Sequence, residues 1–255
     1  TADISASNGV IHVIDTVLLP PAPSTPGAGV SNAVEDDGSA IFQKCGVSVA
    51  ERSASFMVTL STVSDLALLQ DSTTAQYQAM NWLDKDDAAA ICPGNDMRVI
   101  QRYVAALIYF QFDGDNWANC RANGGSCFQE GSTSVPAIPF LSPSSECIWY
   151  GLTCADTPRE VTPDQSDIIS VDDYSPILSV DIPDNNLSGP LFEELFTLTT
   201  LQELTLDGNK NIGGTIPESI SQLTSLVAVD IDDNVRANDA GIVVVKTRFK
   251  LFLTL

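Results

Sequence analysis

Residues 177–185 read ILSVDIPDN, and the same pattern returns at 201–209 in LQELTLDGN and at 226–234 in LVAVDIDDN. In each stretch the first, fourth and sixth residues are apolar and the ninth is asparagine. The three asparagines, Asn185, Asn209 and Asn234, are 24 and 25 residues apart. A repeat of this length predicts one short strand and one turn per copy, with the asparagine side chain bonding the turning backbone. Neighbouring copies are then expected to stack.

This pattern resembles the LxxLxLxxN signature of the leucine-rich repeat family. The stretches NNLSGPLFEEL (185–195) and NIGGTIPESI (211–220) are similar to the NxLxGxIPxxL signature of its plant-type subclass. The stretch ECIWYGLTC (146–154) resembles the CxWxGxxC cap of such proteins, and QYQAMNWLDKDD (76–87), QRYVAALIYF (101–110) and GDNWANC (114–120) resemble the cap region of their diatom relatives. The resemblance, over roughly residues 70–234, implies an α/β fold: a leucine-rich repeat solenoid with a disulfide-bonded, largely helical N-terminal cap region. It also implies that Cys147 and Cys154 pair.

The N-terminal stretch NGVIHVIDTVLLP (8–20) is rich in β-forming residues and predicts a strand buried on both faces. It resembles the closing strand of a fasciclin domain, a family that implies extracellular adhesion. We therefore expect residues 1–21 to be the remnant of such a domain, whose other strands lie upstream. The single histidine, His12, is expected to be a structural residue of this strand.

Composition and these resemblances divide the chain into six parts. Residues 98–112, RVIQRYVAALIYFQF, carry one apolar stripe and predict a helix. The last residues lose the repeat and turn basic, so we expect a misassigned segment, with an unusual terminal cap as the alternative. In order, the parts are the fasciclin remnant (1–21), a linker (22–40), a helical region (41–146), the cap and an insertion (147–176), three repeats (177–234) and an irregular tail (235–255).

The composition is strongly acidic, with 33 Asp and Glu against 12 Lys and Arg and a net charge of −21. This charge argues against nucleic acid and anionic membranes as partners and favours cations, basic polymers or neutral glycans. The alternative is that acidity only keeps a secreted protein in solution. No run of about 18 apolar residues is present, so the sequence predicts no transmembrane helix.

The six cysteines, an even number with two close pairs, indicate disulfides and an oxidising compartment. A disulfide between Cys120 and Cys127 would pin the loop RANGGS that they enclose. Cys45 and Cys92 are expected either to pair with each other or to stay buried. Zinc is disfavoured because the chain has no CxxC spacing and His12 is far from the cysteines.

Residues between the buried repeat positions are expected to project from one concave face, the usual binding surface of such repeats. Seven carboxylates there would repel one another unless Ca²⁺ or a cationic ligand binds; a solvated face without a ligand is the alternative. The stretch FDGDNW (112–117) is interpreted as a turn that ends a helix and not as a calcium loop. The candidate ligand-binding residues are Asp181, Asp184, Glu203, Thr205, Asp207, Asp230, Asp232 and Asp233.

Two further expectations concern function. Asn186-Leu187-Ser188 is the only N-glycosylation sequon, so Asn186 is a candidate modification site, although the repeat consensus can also produce this motif by itself. Catalysis is not expected, because an acyl-transfer triad needs a base and His12 lies far from any serine motif. A carboxylate pair for glycoside hydrolysis is the enzymatic alternative, but the sequence does not single out two of its many acidic residues. We expect an extracellular protein-binding or adhesion module whose partner is a protein or glycan of the extracellular matrix or cell wall. The alternative is the ectodomain of a leucine-rich repeat cell-surface receptor.

Overall fold

The computed structural model describes residues 4–6, 9–11, 39–156, 173–209 and 211–234. The chain divides into two units, Thr1–Asp37 and Gly38–Leu255. In the first unit, β1 (Ile4–Ala6) and β2 (Gly9–Ile11) pair as an antiparallel hairpin with Ile4 opposite Ile11. The remainder of the predicted fasciclin-like strand, His12 included, lies outside the described residues, as do most of the predicted linker and the tail 235–255.

The described part of the second unit begins with helices: α1 (Ser39–Cys45), α2 (Val49–Leu60), α3 (Leu66–Gln70), α4 (Ala75–Asn81) and α5 (Asp96–Gln111). Polar side chains cap the starts of α2 to α5: Ser48 and Glu51 form a capping box on α2, and Asp65, Thr74 and Asn95 accept backbone N–H groups of the next three helices. A π-helical turn, Trp82–Asp86, extends α4.

Helix α5 is the centre of the hydrophobic core. Its bounds, Asp96–Gln111, confirm the helix predicted at 98–112 to within two residues at each end. The prediction of a single apolar stripe understates its burial, because every residue from Tyr103 to Ile108 is fully buried. Helices α2 and α4 pack against it, and the loops that follow cover its remaining surface.

A buried ion-pair network ties the loop before the sheet to α5. Glu146 is fully buried and accepts hydrogen bonds from Arg98, from Gln101 Nε2 (2.8 Å) and from Arg102 Nη1 (3.1 Å). Arg102 also donates to both carboxylate oxygens of Asp87 at 2.7 Å. Burial raises the pKa of Glu146, but the charges of Arg98 and Arg102 outweigh it and lower that pKa overall. Glu146 therefore stays ionised inside the core.

Within the described residues, the main sheet of the second unit has four strands in the order β3 (Leu152–Cys154), β4 (Ile177–Asp181), β6 (Glu203–Thr205) and β8 (Ala228–Asp230). β3 runs antiparallel to β4, whereas β4, β6 and β8 are parallel. Two further short strands, β5 (Ser188–Pro190) and β7 (Asn211–Gly213), pair in parallel beyond the turns. One 3₁₀ segment follows each of these strands, Glu193–Thr197 after β5 and Glu218–Gln222 after β7, and leads the chain back to the four-stranded sheet.

The predicted fold class, a leucine-rich repeat solenoid with a helical cap, is wrong. The described residues form a mixed α/β fold with a small four-stranded mixed sheet, whose parallel strands are only three to five residues long. In a solenoid each repeat contacts only its neighbouring repeats. Here the first repeat segment is part of the helical core: Ile177 N–H bonds Gln101 Oε1 at 2.9 Å, and Ser188 N–H bonds the Phe112 carbonyl at 3.1 Å.

The predicted role of the asparagines is seen in the turns. Asn209 is fully buried; its Oδ1 accepts the N–H groups of Asn185 (2.9 Å) and Leu187 (3.0 Å). Its Nδ2 donates to the carbonyls of Ile182 (2.7 Å) and Leu206 (3.0 Å). These bonds satisfy backbone groups of two adjacent segments that the short strands leave unpaired.

Three disulfides join Cys45 to Cys92, Cys120 to Cys127 and Cys147 to Cys154. The sequence left open whether Cys45 and Cys92 pair with each other or stay buried, and the structure pairs them. This disulfide joins the end of α1 to the segment before α5, where Lys44 Nζ also bonds the Ala89 carbonyl at 2.8 Å. The other two pin the loop after α5 and the start of the sheet.

Candidate functional site

The parallel strands bring predicted binding residues from distant parts of the sequence into rows. Asp181 on β4 lies opposite Thr205 on β6, which lies opposite Asp230 on β8. The adjacent row is Ser179, Glu203 and Ala228, and Ser179 Oγ donates to Glu203 Oε2 at 3.4 Å. These side chains alternate with the buried Val180 and Leu204, so they share the outer face of the sheet. We call the acidic strand face the set Ser179, Asp181, Glu203, Thr205, Asp207, Ala228 and Asp230.

The other predicted carboxylates lie in the turns that follow the strands. Asp184 and Asp233 are exposed and hold positive φ angles of 47° and 52°. Asp184 N–H bonds the Asp207 carbonyl at 3.0 Å, and Gly208 N–H bonds the Asp232 carbonyl at 3.0 Å, so the turns stack as the strands do. Position 208 requires glycine, because the Asp184 carboxylate fills the space that a Cβ would need. The predicted set is therefore split between a strand face and a turn edge.

A groove of about 800 Å³ lies at the β3 side of the acidic strand face. Its apolar wall includes the half-buried Ala137 and the exposed Ala155, and its polar wall includes Glu130, Asp181 and Glu203. The floor depends on close packing at Gly151, whose carbonyl accepts the Asp181 N–H at 2.7 Å and where any Cβ would strike the Asp181 carbonyl. The groove thus combines a hydrophobic surface with three carboxylates.

The carboxyls of this face are electrostatically coupled. The pKa of Asp181 is raised to about 6 by burial first, and then by the charges of Glu130, Glu203 and Asp207. The pKa of Asp207 is also raised, by burial and then by Asp230, with Asp184 and Glu130 adding smaller effects. A cation placed here would relieve this repulsion.

Tyr150 belongs to the same electrostatic environment. It lines the groove and is 8% exposed. Burial is the largest cause that raises the pKa of its hydroxyl, and the carboxylates of Glu130, Asp181 and Asp184 raise it further, against a hydrogen bond with Asn119. The hydroxyl therefore stays protonated near neutral pH and remains a neutral wall of the groove.

Glu130 is a candidate site residue that the sequence analysis did not identify. It lies in the loop after Cys127, outside every repeat, and no spacing in that loop points to the sheet. Tertiary contacts bring it there: Cys120–Cys127 closes one end of the loop, and Ile138 forms a bridge with Trp149 at the other. Only the cysteine pair was visible in the sequence, and it does not indicate which way Glu130 faces.

The structure gives no support to the calcium hypothesis. In the part of the chain that it describes, no three His, Cys, Asp or Glu side chains converge to hold a metal ion. The carboxylates of the acidic strand face are spread along a row of strands, whereas Ca²⁺ needs several oxygens within about 2.6 Å. The Asp113–Asn116 stretch forms a turn after α5: Asp113 has φ 58°, and Asn116 Nδ2 donates to its carboxylate at 2.9 Å.

Comparisons with protein families and with curated proteins identify no relative. No protein-family model matches the chain, and no curated protein matches it either. The resemblances to leucine-rich repeat and fasciclin proteins therefore stay predictions. Within the described ranges, no helix has the length and apolar character needed to cross a membrane. The three disulfides are consistent with an extracellular protein.

Proposed function

We propose that this protein is an extracellular binding module that takes a basic segment of a partner protein on its acidic strand face and performs no catalysis. The observation that carries the proposal is the row Asp181, Thr205, Asp230, which parallel pairing places side by side beside a groove. A partner from the extracellular matrix or the cell wall agrees with the disulfides.

Charge complementarity supports a basic partner. Lys or Arg side chains would lie among carboxylates that now repel one another, and binding would lower the raised pKa values of Asp181 and Asp207. The net charge of −21 would speed the encounter with a cationic partner and repel anionic polymers. The apolar wall of the groove suits the methylene stem of a lysine or arginine, which packs on hydrophobic surface while its charged end reaches the carboxylates.

The proposal is tested with a fluorescent decalysine peptide as the probe, titrated with the protein at low and at physiological salt. The test variant is Asp181→Asn/Asp207→Asn/Asp230→Asn. The matched control is Asp86→Asn/Asp173→Asn/Glu218→Gln, which removes three exposed carboxylates elsewhere and gives the same net charge. We expect the test variant to weaken binding at least about tenfold, as for three lost charge contacts of about 0.5 kcal/mol each.

The control variant should bind within about twofold of the unmodified protein, since long-range attraction is screened beyond about 8 Å at physiological salt. Equal weakening by the two variants would mean that the peptide senses only the net charge, and the proposal would then be abandoned. Neutral decaserine serves as the peptide control and should not bind.

A further inference from the structure

The exposed turn after β4 carries the one sequon of the chain, Asn186-Leu187-Ser188. The side chain of Asn186 is exposed, and its backbone has φ 61°, a left-handed conformation that asparagine tolerates better than most residues. We propose that Asn186 carries an N-linked oligosaccharide. This inference shares with the proposed function only the extracellular location.

The amide of Asn186 is already oriented for a substituent. Its Nδ2 donates one hydrogen to the Asn116 carbonyl at 2.9 Å, at the exposed end of the turn after α5. An N-linked sugar replaces only one of the two amide hydrogens, so the other can keep this bond. The oligosaccharide would then leave the surface in a fixed direction from an amide anchored to Asn116, which is a favourable setting for a bulky, hydrated group.

The rest of the sequon is engaged once the protein has folded. Leu187 is fully buried and its N–H bonds Asn209 Oδ1 at 3.0 Å, while Ser188 N–H bonds the Phe112 carbonyl at 3.1 Å and Ser188 pairs with Asn211. An enzyme that must hold both the amide and the Ser188 hydroxyl would have to pull this turn off the core. The sugar is therefore added before Asn209 packs, and the folded protein should be a poor acceptor.

Only the first turn can carry this modification. The matching turn of the next segment contains Asn209, which is buried, and Asn211, which is followed by Ile212 and Gly213. Neither asparagine has Ser or Thr two residues later. The exposed Asn186 can therefore accept a sugar, whereas the buried Asn209 has a structural role inside its turn.

The test exports the 255-residue chain from a eukaryotic cell behind a heterologous secretion signal, so that its outcome does not depend on the native location. We expect one mass loss on treatment with peptide-N-glycosidase, with Asn186 converted to Asp in the tryptic peptide between Arg159 and Lys210. Ser188→Ala should abolish the mass loss and Ser188→Thr should retain it. Both variants keep the backbone N–H that bonds Phe112, whereas a substitution of Asn186 itself would strain the turn.

An exported chain with all cysteines oxidised but no mass loss would overturn the inference, and so would a mass loss that persists in Ser188→Ala. Decalysine binding is measured on the same samples. Absence of sugar with intact peptide binding would remove this inference alone, and sugar on a protein that does not bind the peptide would remove only the proposed function.

Discussion

At the scale of single residues, Asp181 combines a structural and an electrostatic role. Its N–H completes the junction with Gly151, while its carboxyl faces Glu130 and Glu203 on the groove. An unfolded aspartate has an ordinary pKa of about 4, and the folded protein raises this value to about 6. The folded state therefore holds the proton more tightly, so the stabilising effect of that proton is complete below about pH 4 and lost as pH rises through about 6.

Asp181→Asn should raise the free energy of unfolding at neutral pH, because it removes the repelled charge and keeps the shape of the side chain. A shift of about two pKa units corresponds to about 3 kcal/mol, but this carboxyl is partly exposed, and solvent screening reduces the expected gain to about 1 kcal/mol. Urea unfolding at about pH 7.5 and about pH 4 measures it. The gain should disappear at the lower pH.

Glu218→Gln is the control for this comparison, since Glu218 is an exposed carboxylate on the 3₁₀ segment away from the groove. It should leave the pH dependence of unfolding unchanged. A gain in Asp181→Asn that is as large at about pH 4 as at neutral pH would contradict an ionised, repelled Asp181 as its cause.

At the scale of secondary-structure elements, the strands depend on the turns that follow them. β6 and β8 are three residues each, too short to be stable alone. Asn209 stabilises these short strands by forming hydrogen bonds with backbone groups of its own segment and of the preceding one. The equivalent Asn234 forms only some of these hydrogen bonds. Its Nδ2 donates to the carbonyls of Leu206 (3.0 Å) and Ile231 (2.9 Å), but within the described residues its Oδ1 has no partner.

Asn209→Ala should therefore destabilise the protein by about 3 kcal/mol, because it leaves buried N–H and carbonyl groups of two segments without partners. Asn234→Ala is the matched comparison and should cost only about 1 kcal/mol, since fewer bonds are lost at a partly exposed site. Chemical denaturation of both variants gives the two values. Equal losses of stability would show that the turn at Asn209 has no special role in holding the strands.

At the scale of the whole molecule, the disulfides differ in the length of chain that they constrain. Cys45–Cys92 spans a sequence separation of 47 residues, whereas Cys120–Cys127 and Cys147–Cys154 each span 7. Chain entropy then gives the long link about 4 kcal/mol and a short link about 2.5 kcal/mol. The long link is therefore expected to stabilise the packing of helices α1 to α5. The Cys120–Cys127 link is expected to hold the loop that carries Glu130.

Cys45→Ala/Cys92→Ala should lower the free energy of unfolding more than Cys120→Ala/Cys127→Ala, by about 1.5 kcal/mol. The second variant should instead weaken decalysine binding, because Glu130 would no longer be held at the groove. Thermal and urea unfolding, together with the peptide titration, separate the two effects. A larger loss of stability from the short link would contradict the entropic account.

Several features follow from local sequence alone. The periodicity of residues 98–112 predicted α5, because a helix that buries apolar side chains at this spacing needs no distant information. The asparagine spacing predicted which turns align, because equal segment lengths bring equivalent positions together in a parallel sheet. The face shared by Asp181, Thr205 and Asp230 is a direct result of that alignment.

Other features were decided only by tertiary structure. The repeat pattern is local to each segment and does not indicate what the first segment packs against. In the structure, Gln101 and Phe112 of the helical core form hydrogen bonds with this segment. The result is a small mixed sheet instead of a solenoid. The partner of Cys45 and the position of Glu130 likewise depend on contacts between residues far apart in the chain. Sequence by itself determined which short elements form and which residues share their faces, because these depend on local periodicity. Tertiary structure alone decided which elements meet, because packing and disulfide pairing join surfaces that no local pattern describes.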